Sequence, residues 1–311
     1  MKKLITLIGP TAVGKTSLSI EIAQKFNCEI ISGDSMQIYK DLDIGTAKIS
    51  KEETKSIPHH LIDIRNPSDN YSVAEFKDAV QLSINHILNS NKLPLLVGGT
   101  GLYIQSVLYG YNFTQDEGSI ELRDELLDFA NKFGNYSLHD KLRAVDIKAA
   151  QNIHPNNVQR VIRAIERATV SNISYNESST NRSEDMLYNC ALIGLTMDRE
   201  ILYDRINQRV DIMVKEGLLE EARFLFENHP NSQAAKAIGY KEFFPYFTKD
   251  IDIKTAIDLV KKNSRNYAKR QMTWFRNKMP VEWFDVTEGL SSTNKEQIFN
   301  FIEGKLCIKS N

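Results

Sequence analysis

Gly9, Pro10, Thr11, Ala12, Val13, Gly14, Lys15 and Thr16 follow the pattern G-x-x-x-x-G-K-[ST], in which backbone N–H groups cradle phosphates. A strand-like run, Leu4 to Ile8, precedes them and a helical pattern, Ser17 to Phe26, follows, which is the context the mechanism requires. N–H groups around Ala12 to Thr16 can wrap a diphosphate, Lys15 adds a point charge, and the Thr16 hydroxyl can ligate Mg²⁺. Such a loop holds a diphosphate without specifying what carries it. Asp34 follows the next strand, where a carboxylate could act as a general base, orient Mg²⁺ through water, or cap a turn. Gly98-Gly-Thr-Gly101 follows a further strand and brings the Thr100 hydroxyl to the same edge, or is a simple glycine turn. Arg205 and Arg209, four residues apart, share a helix face that could close over a diphosphate or form surface ion pairs.

The elements that must position these groups read as a wound α/β unit. Candidate strands are Leu4 to Ile8, Glu29 to Ser32, His60 to Ile64, Pro94 to Val97 and Ala191 to Leu195, separated by helical patterns as in a parallel sheet. Ser72-Val-Ala-Glu75 is a capping box that opens a helix with Val73, Phe76, Val80, Ile84 and Ile87 at helical spacing. From about Gln115 to Ala191 no strand-like run occurs, and the segment is polar, charged and helical, ending in the Asn/Ser-rich stretch from Asn172 to Arg182. The expected organisation is therefore a P-loop NTPase-like α/β core over residues 1–114 and 188–311, with an all-helical insertion over residues 115–187. Leu202 to Asn228 reads as one helix and Thr255 to Asn277 as another.

Composition narrows the function classes. The 311 residues are 41% hydrophobic and 25% charged, as in a globular protein, and 39 Lys+Arg balance 40 Asp+Glu, which excludes a globally basic nucleic-acid binder. No run approaches the roughly 20 apolar residues of a membrane span, and the start carries no signal-type cleavage site, so a cytoplasmic protein with no membrane partner is expected. Cys28, Cys190 and Cys307 lie far apart without a CxxC pair and read as core thiols or unassigned.

Basic residues are nonetheless concentrated locally. In the insertion, Val158, Val161, Ile162 and Ile165 form an apolar stripe, and Gln159, Arg160, Arg163 and Arg167 crowd the other side, a solvated face or a binding one. Lys261, Lys262, Arg265, Lys269, Arg270, Arg276 and Lys278 occur with no acidic residue between Leu259 and Val281, interleaved with Tyr267, Trp274 and Phe275. That pattern suits a folded RNA, while each ring is equally suited to packing on the core.

Taken together, Gly9 to Ser17, Gly33 to Tyr39, Asp43-Ile-Gly-Thr-Ala-Lys48, Pro58-His-His-Leu-Ile-Asp-Ile64 and Gly98 to Tyr103 resemble the bacterial tRNA dimethylallyltransferases. The resemblance continues through Asn157 to Arg163, Arg205 to Met213, Gly239-Tyr-Lys-Glu242 and Lys269 to Arg276. It implies transfer of a dimethylallyl group from dimethylallyl diphosphate to N6 of the adenosine immediately 3′ of the anticodon, in tRNAs reading codons that begin with U. By the same resemblance the P-loop holds an isoprenoid diphosphate, Mg²⁺ is the cofactor, and the zinc-finger extension of eukaryotic relatives is missing.

The resemblance further implies Asp34, Thr100 and Arg209 as catalytic residues: Asp34 takes the amine proton, while Lys15, Thr100, Arg209 and Mg²⁺ at Thr16 stabilise the departing diphosphate. The implied tRNA contacts are Asp34, Ser35, Met36, Gln37, Arg123, Gln159, Arg160, Val161, Ile162, Arg163, Lys236, Gly239, Tyr240 and Lys241. They would receive the anticodon stem-loop with the target base flipped into a channel between core and insertion. A monomer is expected. A P-loop nucleoside or nucleotide kinase, with the insertion as lid, is the main alternative, and an RNA-binding protein with a regulatory nucleotide the other.

Overall fold

The computed structural model describes residues 1–111, 120–170, 183 and 185–309. Backbone contacts divide the chain into two units, Met1–Tyr109 with Asp185–Asn311, and Gly110–Glu184. In chain order the first unit opens with β1 (Lys3–Ile8), α1 (Lys15–Phe26), β2 (Cys28–Ser32), β3 (His59–His60), α2 (Val73–Asn89), β4 (Leu93–Gly98) and α3 (Gly101–Leu108). The second unit contributes α4 (Ile120–Phe133), α5 (Asn135–Val145), α6 (Ile147–Asn152) and α7 (Val158–Val170). The first unit then resumes with β5 (Asn189–Thr196), α8 (Arg199–Glu216), α9 (Leu218–Asn228), α10 (Phe244–Phe247), α11 (Ile253–Lys278), β6 (Glu282–Asp285) and α12 (Ser292–Leu306).

The six strands form one parallel sheet in the order β3-β2-β4-β1-β5-β6. The central strand β1 has five buried residues in succession because both of its faces are covered, and an unbroken apolar run is what a parallel strand needs. Ile5 and Leu7 join a core with Leu18, Ile22 and Phe26 of α1 and Ile298, Ile302 and Leu306 of α12. Leu4 and Ile8, on the alternate positions, are just as deeply buried. The helix α2 begins with the expected capping box: Ser72 Oγ accepts from Glu75 N, and Glu75 Oε2 accepts from Ser72 N. Cys28 and Cys190 are buried in the sheet, and burial pushes both thiols up to about 12, which leaves them inert. Among the described residues no helix is long and apolar enough to cross a membrane.

Three expectations about the elements are corrected. The run His60 to Ile64 pairs with β2 only at His59 and His60, because Leu61 and Asp63 have φ of 63° and 57°, left-handed values that a strand cannot contain. Leu202 to Asn228 is two helices, α8 and α9, parted by Gly217 at φ 112°. Ala191 to Leu195 is not the last strand: Glu282-Trp-Phe-Asp285 adds β6 at the sheet edge, where its exposed, charged ends hide the apolar signal.

The second unit is helical in its described residues. Leu126, Ala130, Leu138, Leu142, Val161 and Ile165 are buried together in its core. The Asn/Ser-rich stretch from Asn172 to Arg182 lies outside the described residues.

The break at Gly217 has a measurable cost attached. Gly217→Ala forces an L-residue into left-handed backbone and brings its Cβ to within 3.4 Å of Ile44 Cδ1. We expect a loss of about 1–2 kcal/mol in urea unfolding with helical circular dichroism unchanged. A neutral substitution would show that the α8–α9 junction relaxes freely.

Candidate active site

The first functional loop joins β1 to α1. Gly14 caps the helix without a side-chain bond, so the first N–H groups of α1 are left for an anion, and the helix dipole adds to their field. Ala12 is held at φ 65°, a strained value for a residue with a Cβ that recurs at ligand-binding loops. Lys15 Nζ donates to the carbonyls of Gly9 and Pro10 at 2.9 and 2.7 Å. Burial and, to a lesser extent, neighbouring Arg209 together lower the Lys15 ammonium to about 7 against the opposing pull of Asp34.

The second loop follows β2. Asp34 Oδ1 accepts from the N–H of Met36 at 2.8 Å, which fixes the carboxylate at the carboxyl end of the sheet. Burial raises the Asp34 carboxyl above its ordinary value, while the N–H groups of Met36 and Gln37 and the charges of Lys15 and Arg209 hold it down. The third loop follows β4 and can lie against the second because both carry glycine at the crossing. A Cβ on Gly98 would stand 2.5 Å from the Gly33 carbonyl oxygen. Across that contact Ser35 N donates to Thr100 Oγ1 at 3.4 Å.

Helix α11 runs past all three loops. Burial pushes the Tyr267 phenol up to about 12, against the hydrogen-bonding Thr100 and Gln271 side chains beside it. One turn later, Gln271 Oε1 accepts from Thr11 N at 3.0 Å and Gln271 Nε2 donates to Gly99 O at 2.9 Å. From α8, Arg209 Nη1 reaches Thr11 Oγ1 at 3.5 Å. Burial lowers the Arg209 guanidinium, which Asp34 and Glu53 keep charged.

These groups wall one cavity of about 850 Å³. Thr11, Ala12, Gly14, Lys15 and Thr16 line one side, with Asp34, Ser35, Met36, Gln37, Arg209, Lys236 and Gly239 around them. Thr100 is not one of its walls; its hydroxyl stands behind Ser35. Of the two helix arginines only Arg209 lines the cavity, and Arg205 is exposed elsewhere on α8. Thr16 supplies one hydroxyl for a metal, and no cluster of three or more His, Cys, Asp or Glu exists among the described residues. A single protein oxygen fits Mg²⁺, which keeps waters and takes its other ligands from phosphates.

Several side chains expected to meet RNA are committed to the protein. Val161 and Ile162 are 0% and 3% exposed in the core of the second unit, so their side chains are not available. Arg123 and Arg163, on α4 and α7, both pair with the buried Glu166, at 2.7 and 2.8 Å, while Gln159 and Arg160 are exposed on the same unit. Tyr240 is fully buried against Gly45, with its hydroxyl donating to Glu221; burial and that carboxylate raise the phenol far above its ordinary value. Gln37 lines the cavity, but its amide accepts from Ser32 Oγ and donates toward the carbonyls of Thr46 and Ala47. Lys236 and Lys241 are exposed.

The basic stretch of α11 is also partly structural. Lys261 pairs with Asp211 at 2.6 Å and Arg265 donates to Asn207, both on α8. Phe275 is in the core, and Trp274 packs on Gly101. Glu221 carries no motif, yet its carboxylate accepts from the N–H groups of Asp43, Ile44 and Gly45 and holds that loop to α9. Nothing local signals it, since the partners are 176 to 178 residues apart.

The chain is similar to known proteins over its whole length. The sequence model of the IPP transferase family matches residues 37–278. The chain is 53% identical over 309 residues to a tRNA dimethylallyltransferase of Bacillus pumilus, covering 99% of this chain and 97% of that one. It is 52% identical over 311 residues to a tRNA dimethylallyltransferase of Bacillus cereus, covering 100% and 97%. Among solved structures it resembles the full-length tRNA isopentenylpyrophosphate transferase of Bacillus halodurans, with TM-score 0.75 and 48% identity over 98% of this chain and 97% of that one. A eukaryotic dimethylallyltransferase acting on tRNA aligns with TM-score 0.79 and 31% identity, over 96% of this chain and 77% of its own.

The depressed Lys15 has a stability signature. Its unfolded form holds the proton up to its ordinary 10.5 and the folded form releases it near 7, so between those values folding sheds a proton and stability rises with pH. Wild type should therefore gain on Lys15→Met between pH 7 and about pH 9 in urea unfolding. An equal difference at both values would place the Lys15 ammonium at its ordinary pKa.

Proposed function

The chain belongs to the IPP transferase family, and on that premise we propose that it transfers the dimethylallyl group of dimethylallyl diphosphate to tRNA. The acceptor in this reading is N6 of the adenosine immediately 3′ of the anticodon, in tRNAs that read codons beginning with U. The observation that carries the reading is one cavity that joins the P-loop to the half-buried carboxylate of Asp34. That combination suits a reaction in which the diphosphate departs whole.

The exocyclic amine is a weak nucleophile because its lone pair is conjugated into the ring. As its bond to the allylic carbon forms, the carbon–oxygen bond to diphosphate breaks, and the amine proton must leave. Asp34, with its carboxyl raised by burial, is a stronger base than an exposed carboxylate and sits in the same cavity as the phosphate loop. Lys15, Arg209 and the N-terminal N–H groups of α1 face the charge that gathers on the diphosphate oxygens. Anion binding favours the protonated form of Lys15, so the ammonium is charged when the leaving group needs it. Mg²⁺ bound at Thr16 would neutralise part of the same charge.

Ser35, Met36, Lys236 and Gly239 also line the cavity, and the target base must leave its stack to enter it. Exposed Lys236 and Lys241, with Gln159, Arg160, Arg163 and Arg123 of the second unit, are candidates for contact with the anticodon stem-loop. The protein is read as a monomer acting in the cytoplasm.

The decisive experiment incubates the protein and Mg²⁺ with unmodified tRNA and labelled dimethylallyl diphosphate, with ATP in a parallel tube. Label in the RNA is expected; ATP consumption without label would make the chain a kinase. Asp34→Asn should lower the transfer rate by about 10²–10⁴-fold while tRNA affinity in filter binding stays close to wild type. Transfer at the wild-type rate would remove Asp34 as the base.

A further inference from the structure

We propose that Gln271 is a positioning residue, a two-ended amide strut that holds the phosphate loop and the Thr100 loop at one fixed separation. The proposal rests on the transferase reading and deepens it, since it names what sets the leaving group against the rest of the site. Gln271 is 5% exposed, on the face of α11 that lines the cavity. Its Oε1 accepts the N–H of Thr11 in the phosphate loop, and its Nε2 donates to the carbonyl of Gly99, immediately before Thr100. Both ends bond to main chain, so the strut fixes backbone rather than another side chain.

The surroundings are shaped to it. An ideal Cβ on Gly99 would lie 2.2 Å from Gln271 Nε2, so the loop approaches the amide as closely as it does only because it has none. One turn back on α11, Tyr267 borders both Thr100 and Gln271. An amide of this length supplies an acceptor for one loop and a donor for the other at any pH. A carboxylate would lose the donor, and a thioether would lose both. The phosphate loop follows β1 and the Thr100 loop follows β4, adjacent strands that pair up to Ile8 and Gly98, beyond which no strand hydrogen bond ties the two loops. A link between them is what keeps diphosphate donors and the Thr100 region in register, and small displacements of reacting groups are expensive in rate.

The test uses the full chain with Gln271→Met, which keeps volume and removes both bonds, and Gln271→Glu. Protonated Glu restores an acceptor and an O–H donor in the same place, and its carboxylate does not. For Gln271→Met we expect kcat to fall about tenfold or more with KM for tRNA within about twofold, and a weaker calorimetric affinity for inorganic diphosphate. For Gln271→Glu the rate relative to wild type at the same pH should climb as pH is lowered. Asp34, Lys15, Arg209, Tyr267 and Arg270 line the same cavity with Glu21, Glu53, Lys55 and Lys236, and Gln271→Met, which adds no ionisable group, is measured over the same pH range to separate their titration from that of the introduced carboxyl. A purely structural glutamine would lower the melting temperature of both variants and leave kcat and the pH profile of the folded fraction unchanged. Wild-type kcat in Gln271→Met, or a flat Gln271→Glu ratio across pH, overturns the proposal. If wild type transfers no label to RNA, the transferase reading fails first, and diphosphate affinity still decides the strut: equal affinity in wild type and Gln271→Met overturns it.

Discussion

The catalytic unit depends on an imbalance of charge in one partly desolvated cavity. Arg209 stands close enough to Lys15 to make its proton costly, while Asp34 opposes that effect and, with Glu53, favours the charged form of Arg209. Lys15, Lys55, Arg209, Lys236 and Arg270 against Glu21, Asp34 and Glu53 leave the cavity lining short of negative charge, which suits an anion. Burial raises the Asp34 carboxyl while the same cations and the Met36 and Gln37 N–H groups hold it down, so one arrangement governs the charge of all three side chains.

Holding these groups together is a matter of sheet topology. The parallel order β3-β2-β4-β1-β5-β6 puts the ends of β2, β4 and β1 side by side, so three loops separated in sequence meet at one edge. The glycine contact between Gly33 and Gly98 lets two of them touch, and α11 braces the third through Gln271. Behind them Glu221 gathers three consecutive N–H groups of the Asp43–Gly45 turn and the Tyr240 hydroxyl, so that a loop without regular structure has a fixed wall to offer the cavity. Much of what looks like binding surface in the sequence is this bracing.

The helical unit shows the same division. Its α7 carries an apolar stripe and a basic face, and the stripe packs as its period requires. Two of the cations, Arg123 and Arg163, converge on buried Glu166, a residue whose acidity has to be compensated once it is enclosed. Gln159, Arg160 and Arg163 are exposed on α7.

The sequence alone carried the phosphate loop, the capping box, the apolar runs of the central strands and the family resemblance, because each depends on residues a few positions apart whose local chemistry admits one arrangement. It also brought Asp34, Lys15 and Arg209 forward by type and context. Tertiary structure decided the rest. The break at Gly217, the sixth strand and the shortness of β3 turn on backbone angles and edge pairing that composition does not encode. Which arginine of Arg205 and Arg209 faces the cavity, and whether Val161, Ile162 and Tyr240 are surface or core, depends on what packs against each helix face or loop. Gln271 and Glu221 stayed invisible for a further reason: each bonds to main-chain N–H or carbonyl groups more than 170 residues away, and backbone partners leave no mark in the residue types that surround them.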